Sequence, residues 1–219
     1  MLIHLQKVCS AEQVSHLRNL MTEGTFADGS KTAGRVARSV KANEQLESGA
    51  RVDTIRSEVR KALMAHDGFV SFARPKSISR ILVSRYREGM EYGPHIDDAV
   101  MGGRRADLSF TLFLSDPDSY DGGELVMDSL EGETEVKLEA GDAVVYATSS
   151  IHHVARITRG ERLAVVGWVR SLVRRADQRE ILFDLDQVAA RLFDQDGKTH
   201  ELDLVLKTKS NLLRQWAED

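Results

Sequence analysis

Leu108-Ser109-Phe110-Thr111-Leu112-Phe113-Leu114 is the stretch whose reading decides the fold class. It is short, apolar at alternate positions over its first half, and closed by the turn signal Asp116-Pro117-Asp118, which is the pattern of a strand. Working outward, four more runs share its character: Ile81-Leu82-Val83, Glu124-Leu125-Val126-Met127, Ala143-Val144-Val145-Tyr146 and Leu163-Ala164-Val165-Val166. Between them stand Asp121-Gly122-Gly123, Gly141-Asp142 and Arg159-Gly160, all turn formers. No stretch between these runs has the length and period of a crossover helix. The strands are therefore expected to be antiparallel, in a sandwich or barrel.

On both flanks the hydrophobic period returns to 3.6. Ser10-Ala11-Glu12-Gln13 resembles a capping box ahead of Val14, Leu17, Leu20 and Met21. Asp53 is placed to cap a second helix with an apolar stripe of Ile55, Val59, Leu63 and Met64. Residues 23–50, polar and punctuated by glycine, read as a loop or loose hairpin, and a long loop of this kind can cover a site. After Arg170, one stripe runs through Ile181, Leu182, Leu185, Val188, Ala189 and Leu192. Gly197 interrupts, and a second runs through Leu202, Val205, Leu206, Leu212, Leu213 and Trp216. The expected organisation is mainly β with flanking helices: helical and loop support over 1–75, a β core over 76–172, and a C-terminal helical extension over 173–219. That extension either packs on the core or joins two copies into a homo-oligomer.

The 219 residues suffice for one sizeable domain, and 42% hydrophobic with 29% charged residues is ordinary for a globular chain. Thirty basic against 34 acidic residues give a net charge of −4, so no global field favours nucleic acid or an anionic membrane. Cys9, the single cysteine, cannot form an internal disulfide. With no apolar stretch approaching a membrane span, the expectation is a cytoplasmic protein without nucleic-acid or membrane partners.

The chemistry gathers inside the β region. His95-Ile96-Asp97 presents two ligand types at i and i+2, on the same side of an extended backbone. Composition alone supplies such a triplet in about half of comparable chains. What adds weight is its answer downstream, His152, which returns on another strand. Two histidines and one carboxylate with open positions form the facial triad of non-haem Fe(II) oxygenases. His153 competes with His152, but adjacent strand residues face opposite ways, and parity with Arg162 favours His152. Arg162 opens an apolar run in which no acid stands at i±2, so a buried guanidinium there has to find a carboxylate elsewhere, and a bound dicarboxylate serves. Arg156, Arg159 and Arg170 are the competing arginines, Arg159 lying in a turn. No catalytic residue is read beyond the metal site.

These segments resemble the Fe(II)/2-oxoglutarate-dependent dioxygenases of the prolyl-hydroxylase-like branch, and within it the bacterial PKHD-type hydroxylases. The resemblance is carried by Arg85-Tyr86, by Tyr92-Gly93-Pro94-His95-Ile96-Asp97, by Asp107 to Pro117, by Gly122-Gly123-Glu124-Leu125 and by Ala140-Gly141-Asp142. It continues through Ser149 to Val154, Thr158 to Arg162 and Asn211 to Trp216. It implies a double-stranded β-helix (jelly-roll) core, His95, Asp97 and His152 as iron ligands, and Arg162 on the C5 carboxylate of 2-oxoglutarate. It implies O2 and, in some members, L-ascorbate as further reactants, with a link to iron uptake. Tyr86 matches a co-substrate tyrosine and Trp168 a pocket tryptophan, although each also reads as a core aromatic. Asp97 itself matters here, because halogenating relatives lack that carboxylate. The resemblance thus implies a hydroxylase acting on a small-molecule or peptide substrate.

Three other readings are set against it. A cupin-type metalloprotein would show an HxH cluster with a nearby glutamate, and none surrounds His95. A nucleic-acid demethylase would carry a second arginine on the strand after Arg162, and residues 163–169 contain none. A non-catalytic or sensor-type iron-binding protein of the same fold differs only in its response to Fe(II) and 2-oxoglutarate.

Overall fold

The strand Leu108–Phe113 is buried along its whole length, which requires cover on both faces of its sheet. The cover differs on the two sides, and the pleat sorts the side chains between them. Leu108, Phe110 and Leu112 join one apolar cluster, and Phe113 joins a second.

The computed structural model describes residues 2–130 and 132–218. The strands run β1 (Leu2–Leu5), β2 (Phe26–Asp28), β3 (Lys41–Ala42), β4 (Glu44–Leu46), β5 (Pro75–Arg87), β6 (Glu91–His95), β7 (Val100–Met101) and β8 (Arg104–Arg105). They continue as β9 (Leu108–Phe113), β10 (Tyr120–Asp121), β11 (Leu125–Ser129), β12 (Gly132–Val136), β13 (Ala143–Ala147), β14 (His152–Val154) and β15 (Arg159–Ser171). The helices are α1 (Ala11–Thr22), α2 (Ala50–Ala65), α3 (Asp67–Ala73), α4 (Ala176–Asp196) and α5 (His200–Trp216).

The larger sheet has the order β1-β13-β9-β15-β5-β4-β2, with β10 paired to β15; the smaller is β12-β11-β14-β6-β3. Pairing is antiparallel in both, for example β15 with β5 and β9, and β14 with β6 and β11. This is the antiparallel jelly-roll expected. Helices α1 to α3 supply the apolar cover of the larger sheet, through Leu17, Ile55, Val59, Leu63 and Phe69 against Leu112, Val145 and Val165. Between the sheets lies the second cluster, with Phe113, Leu125, Val144 and Val154.

The capping box forms: Ser10 Oγ accepts from Gln13 N while the Gln13 side chain accepts from Ser10 N at 2.8 Å. The second helix departs from expectation. It begins at Ala50 after Gly49, and Asp53 lies in its first turn, where it holds Arg56 at 3.1 Å instead of capping. Met64 leaves the stripe and is 46% exposed; Val52 takes its place in the core. Residues 23–50 form a hairpin-like excursion in which β2 pairs with β4, β4 extends the larger sheet beside β5, and β3 joins the smaller sheet beside β6.

The C-terminal helices lie on the helical layer, away from the smaller sheet. Phe183 meets Phe72 of α3 edge-on at 5.5 Å. Asp186 of α4 is the polar anchor: it accepts from Ser71 Oγ at 2.5 Å, pairs with Arg74, and receives Lys209 of α5 at 2.7 Å. Of the two expected stripes, Leu182, Ala189 and Leu202 are buried, whereas Ile181 and Val188 face outward.

Leu112→Ala removes a fully buried side chain between the larger sheet and α1 to α3, and should cost about 2–5 kcal/mol in urea unfolding. The Cys9 thiol is pushed up to about 11, chiefly by burial and then by Glu58. Native protein should therefore resist thiol alkylation at pH 8 and react only as it unfolds; rapid labelling of folded protein would contradict this packing.

Candidate active site

His95 closes β6 and His152 opens β14, and the antiparallel register sets the two directly opposite each other. Their ring centroids are 4.3 Å apart. Asp97 follows just beyond the end of β6, where Ser109 Oγ of the larger sheet donates to its Oδ2 at 2.6 Å. The two imidazoles thus come from the smaller sheet, and the carboxylate is tied to the larger one. One ligand atom from each of the three lies within 4.8 Å of the others, a set that can hold a metal ion.

Backbone carbonyls select the tautomers. His95 Nδ1 is 2.9 Å from Gly93 O, and His152 Nδ1 is 3.0 Å from Ser150 O. Each Nδ1–H donates to its carbonyl, which leaves the Nε2 lone pair free, as metal-binding histidines require. His152 Nε2 accordingly faces Asp97 Oδ2 at 3.8 Å. Tyr92 stacks on His95 at 3.6 Å and Tyr146 meets His152 edge-on at 5.2 Å, so both rings are held. Burial, and then the neighbouring His152, push His95 down to about 4. Its imidazole is therefore neutral across the physiological range, the form that donates a lone pair.

Arg162 is 1% exposed, inside the larger sheet opposite Tyr86. Its guanidinium carbon lies 5.4 Å from the Tyr86 ring and 5.2 Å from the Phe113 ring. Among the described residues no carboxylate lies within 4.0 Å of it, and its Nε has no hydrogen-bond partner. A buried cation left in this state is costly unless a ligand completes it. The turn before β11 packs against this side chain through Gly123, while Gly122 lies against the backbone of Arg156. Gly122 and Gly123 have φ of +74° and +70°, and a Cβ on Gly123 would fall 3.1 Å from Arg162 Cδ.

Arg162, Val166 and Trp168 share one face of β15, and Ser84, Leu82 and Arg80 share the facing side of β5. They line one cavity of about 740 Å3 together with His95, Asp97 and His152, a volume typical of small-molecule sites. Tyr86 is buried in its wall, and burial pushes its phenol up. Trp168 is half-buried on the same wall, with its Nε1 unpartnered. The structure thus brings together every residue singled out from the sequence for this site. The competitors lie elsewhere: Arg159 pairs with Asp121 and Arg156 with Glu91, while His153 stands opposite Val126 and outside the cluster.

Sequence reasoning missed Ser109, Lys41 and Arg80. Ser109 was signalled by its polar character within the buried run that opens the sequence reading. Lys41 crosses from β3 to lie 4.8 Å over the Tyr92 ring. Its ammonium is pulled down to about 8, first by burial and then by Arg80, with Asp97 and Asp28 opposing.

Residues 81–170 match the model of the 2OG-Fe(II) oxygenase superfamily, and residues 177–218 match the PKHD-type hydroxylase C-terminal domain. A PKHD-type hydroxylase of Maricaulis maris (strain MCS10) is 83% identical over 219 residues, covering 100% of both chains. A Pseudomonas putida prolyl-4-hydroxylase shares the fold at 22% identity, with a TM-score of 0.53 over 78% of this chain and 92% of that one. So does a prolyl hydroxylase from Trichoplax adhaerens solved with a hypoxia inducible factor peptide, at 14% identity and a TM-score of 0.57 over 83% of this chain and 86% of that one. No helix among the described residues is long and apolar enough to cross a membrane. The chain belongs to the PKHD-type hydroxylases of the 2OG-Fe(II) oxygenase superfamily, enzymes that use Fe(II) and 2-oxoglutarate.

Proposed function

We propose that His95, Asp97 and His152 hold the Fe(II), that Arg162 binds the distal carboxylate of 2-oxoglutarate, and that the enzyme hydroxylates a small molecule or peptide at the cavity mouth. The observation that carries this reading is the buried Arg162, which has no carboxylate within 4.0 Å among the described residues and lines the same cavity as the triad. With Fe(II) and 2-oxoglutarate bound, the site supplies activation of O2, with one oxygen atom going to a substrate C–H bond and the other to succinate formed with CO2.

The chain's own residues prepare the site for that chemistry. Gly93 O and Ser150 O hold the two imidazoles in the donor tautomer, and Ser109 fixes the carboxylate. Such outer contacts set ligand orientation. The fork of Arg162 matches a carboxylate in geometry and charge, so it orients the diacid along the cavity axis. Tyr86, directly across from Arg162, lies against the same end of the co-substrate; Trp168, toward the mouth, borders the substrate. The apolar cluster between the sheets keeps water from the deep end.

Asp97→Ala or His152→Ala should abolish 2-oxoglutarate-dependent succinate formation, measured without added substrate; unchanged turnover in either would remove the metal assignment. Arg162→Ala should raise the 2-oxoglutarate concentration needed for half-maximal turnover by roughly 10- to 100-fold, the cost of a lost charge-assisted hydrogen bond. An unaltered requirement would remove that role. The visible charge-transfer band formed anaerobically with Fe(II) and 2-oxoglutarate separates a catalytic site from a non-catalytic relative. Metabolites consumed from a cell extract by the native protein but not by Asp97→Ala should identify the substrate. The link to iron uptake that the resemblance implies makes iron-chelating molecules worth including in that comparison.

A further inference from the structure

Residues 29–43 contain Lys31, Arg35, Arg38 and Lys41 and no aspartate or glutamate, in a chain whose net charge is −4. Folding lays this basic segment over the active-site mouth, where residues 32–37, 39–41 and 43 line the cavity. Arg80 reaches the same cavity from β5, in the sheet row that contains Trp168 and Ser109. Lys41 comes from β3 of the smaller sheet and Arg80 from β5 of the larger, so the two cations line one cavity from different sheets, and Arg80 opposes protonation of Lys41. Lys41 Nζ donates to Thr32 Oγ1 at 3.1 Å, a neutral partner. No carboxylate lies within 4.0 Å of either cation among the described residues.

Asp97 and Asp28 act on Lys41 from farther off and oppose Arg80 only in part; two like charges lining one cavity with no carboxylate in contact make a receptor for an anion. That anion is distinct from the far end of 2-oxoglutarate. Arg162 stands at the opposite end of the lumen face of β15 from Trp168, and Trp168 is paired with Arg80 in the row that reaches Asp97 through Ser109. The same cavity also presents exposed apolar side chains, Ile96, Val100 and Ile151 at 57%, 62% and 49%, beside the charged Asp98 and Arg35.

We propose that the primary substrate is a small organic molecule with an apolar body and an oxyanion, and that Lys41 and Arg80 seat the oxyanion so that a C–H bond of the body lies over the triad. This deepens the reading of the site as an iron- and 2-oxoglutarate-dependent hydroxylase and rests on it. Lys41 and Arg80 determine specificity; the reacting atoms are held by the triad. Among the described residues Arg80 makes no hydrogen bond or ion pair, so its guanidinium is available to a ligand.

The test uses full-length protein loaded anaerobically with Fe(II) and saturating 2-oxoglutarate, so that dicarboxylate binding at Arg162 cannot compete. The charge-transfer band is recorded first. Three probes are then titrated: N-acetylleucine, its neutral amide N-acetylleucinamide, and hexyl phosphate, followed by the shift of that band and by tryptophan fluorescence. The acid should bind at least about 10-fold more tightly than the amide, the scale of a charged hydrogen bond. Arg80→Gln and Lys41→Gln should each erase most of that preference, and Arg80→Lys should retain it. A stronger response to hexyl phosphate supports the site and assigns the oxyanion as a phosphate. Equal binding of acid and amide, or a preference that survives in both glutamine variants, overturns the proposal. Selective binding of a short single-stranded oligonucleotide over all three probes also overturns it. Failure of the band to form strikes the iron and co-substrate reading instead, so the two failures are distinguishable.

Discussion

A sheet covered on both faces must send alternate side chains into different environments, and in this protein that parity decides where chemistry can sit. Along β15, Leu163, Val165 and Val169 turn to the helical layer, while Arg162, Val166 and Trp168 turn to the lumen. A slip of one residue would drive the guanidinium among Leu17, Ile55 and Phe69, where no ligand could neutralise it, and would expose apolar side chains to the cavity. The burial of the helix layer therefore fixes the register that places Arg162. Core packing and site geometry are one constraint seen from two faces of the same sheet.

That constraint alone would position only half of the metal site. His95 and His152 belong to the smaller sheet, and Asp97 is reached by the larger one only through Ser109. The Ser109–Asp97 contact is thus the point at which the two sheets are tied together at the mouth. It also explains why a serine occupies a position in a strand otherwise buried on both faces: its hydroxyl is spent on the carboxylate. Because the tautomers of His95 and His152 are each set by the carbonyl two residues earlier, on β6 and just ahead of β14, the donor set is oriented by the protein's own backbone. Little rearrangement is then asked of the protein on binding.

What was legible in the chain follows the range of the interaction involved. The strand run beginning at Leu108 could be read because burial on both faces leaves a long apolar signature. His152 could be chosen over His153 because strand parity is a local property. The helix starting at Ala50 was misplaced by several residues because Asp53 has two local uses, capping and pairing with Arg56, and the pairing prevailed. Strands of two or three residues such as β2, β3 and β4 carry no periodic signal. β4 and β3 form because β5 and β6 offer them edges, and β2 because β4 then offers it one, which no window of sequence can show. Helix α3, only seven residues long, owes its place to burial of Phe69 and Phe72.

The same limit explains how the mouth was overlooked. A net charge of −4 describes the chain as a whole, a statement about its summed charge. It says nothing about a segment that folds over a cavity. Many of the acids that balance the total sit in local pairs: Glu44 with Arg85 and Arg87, Asp121 with Arg159, Asp177 with Arg175, and Asp186 with Arg74 and Lys209. Asp121 and Asp177 each cancel one arginine where they stand, while Glu44 and Asp186 are each shared by two cations. Among the described residues Lys41 and Arg80 have no carboxylate within 4.0 Å, and they line, from different sheets, a pocket whose wall also carries the triad. A charge that is balanced in the sum but unpaired in space is a local field, and it acts on whatever enters the pocket rather than on the solution outside.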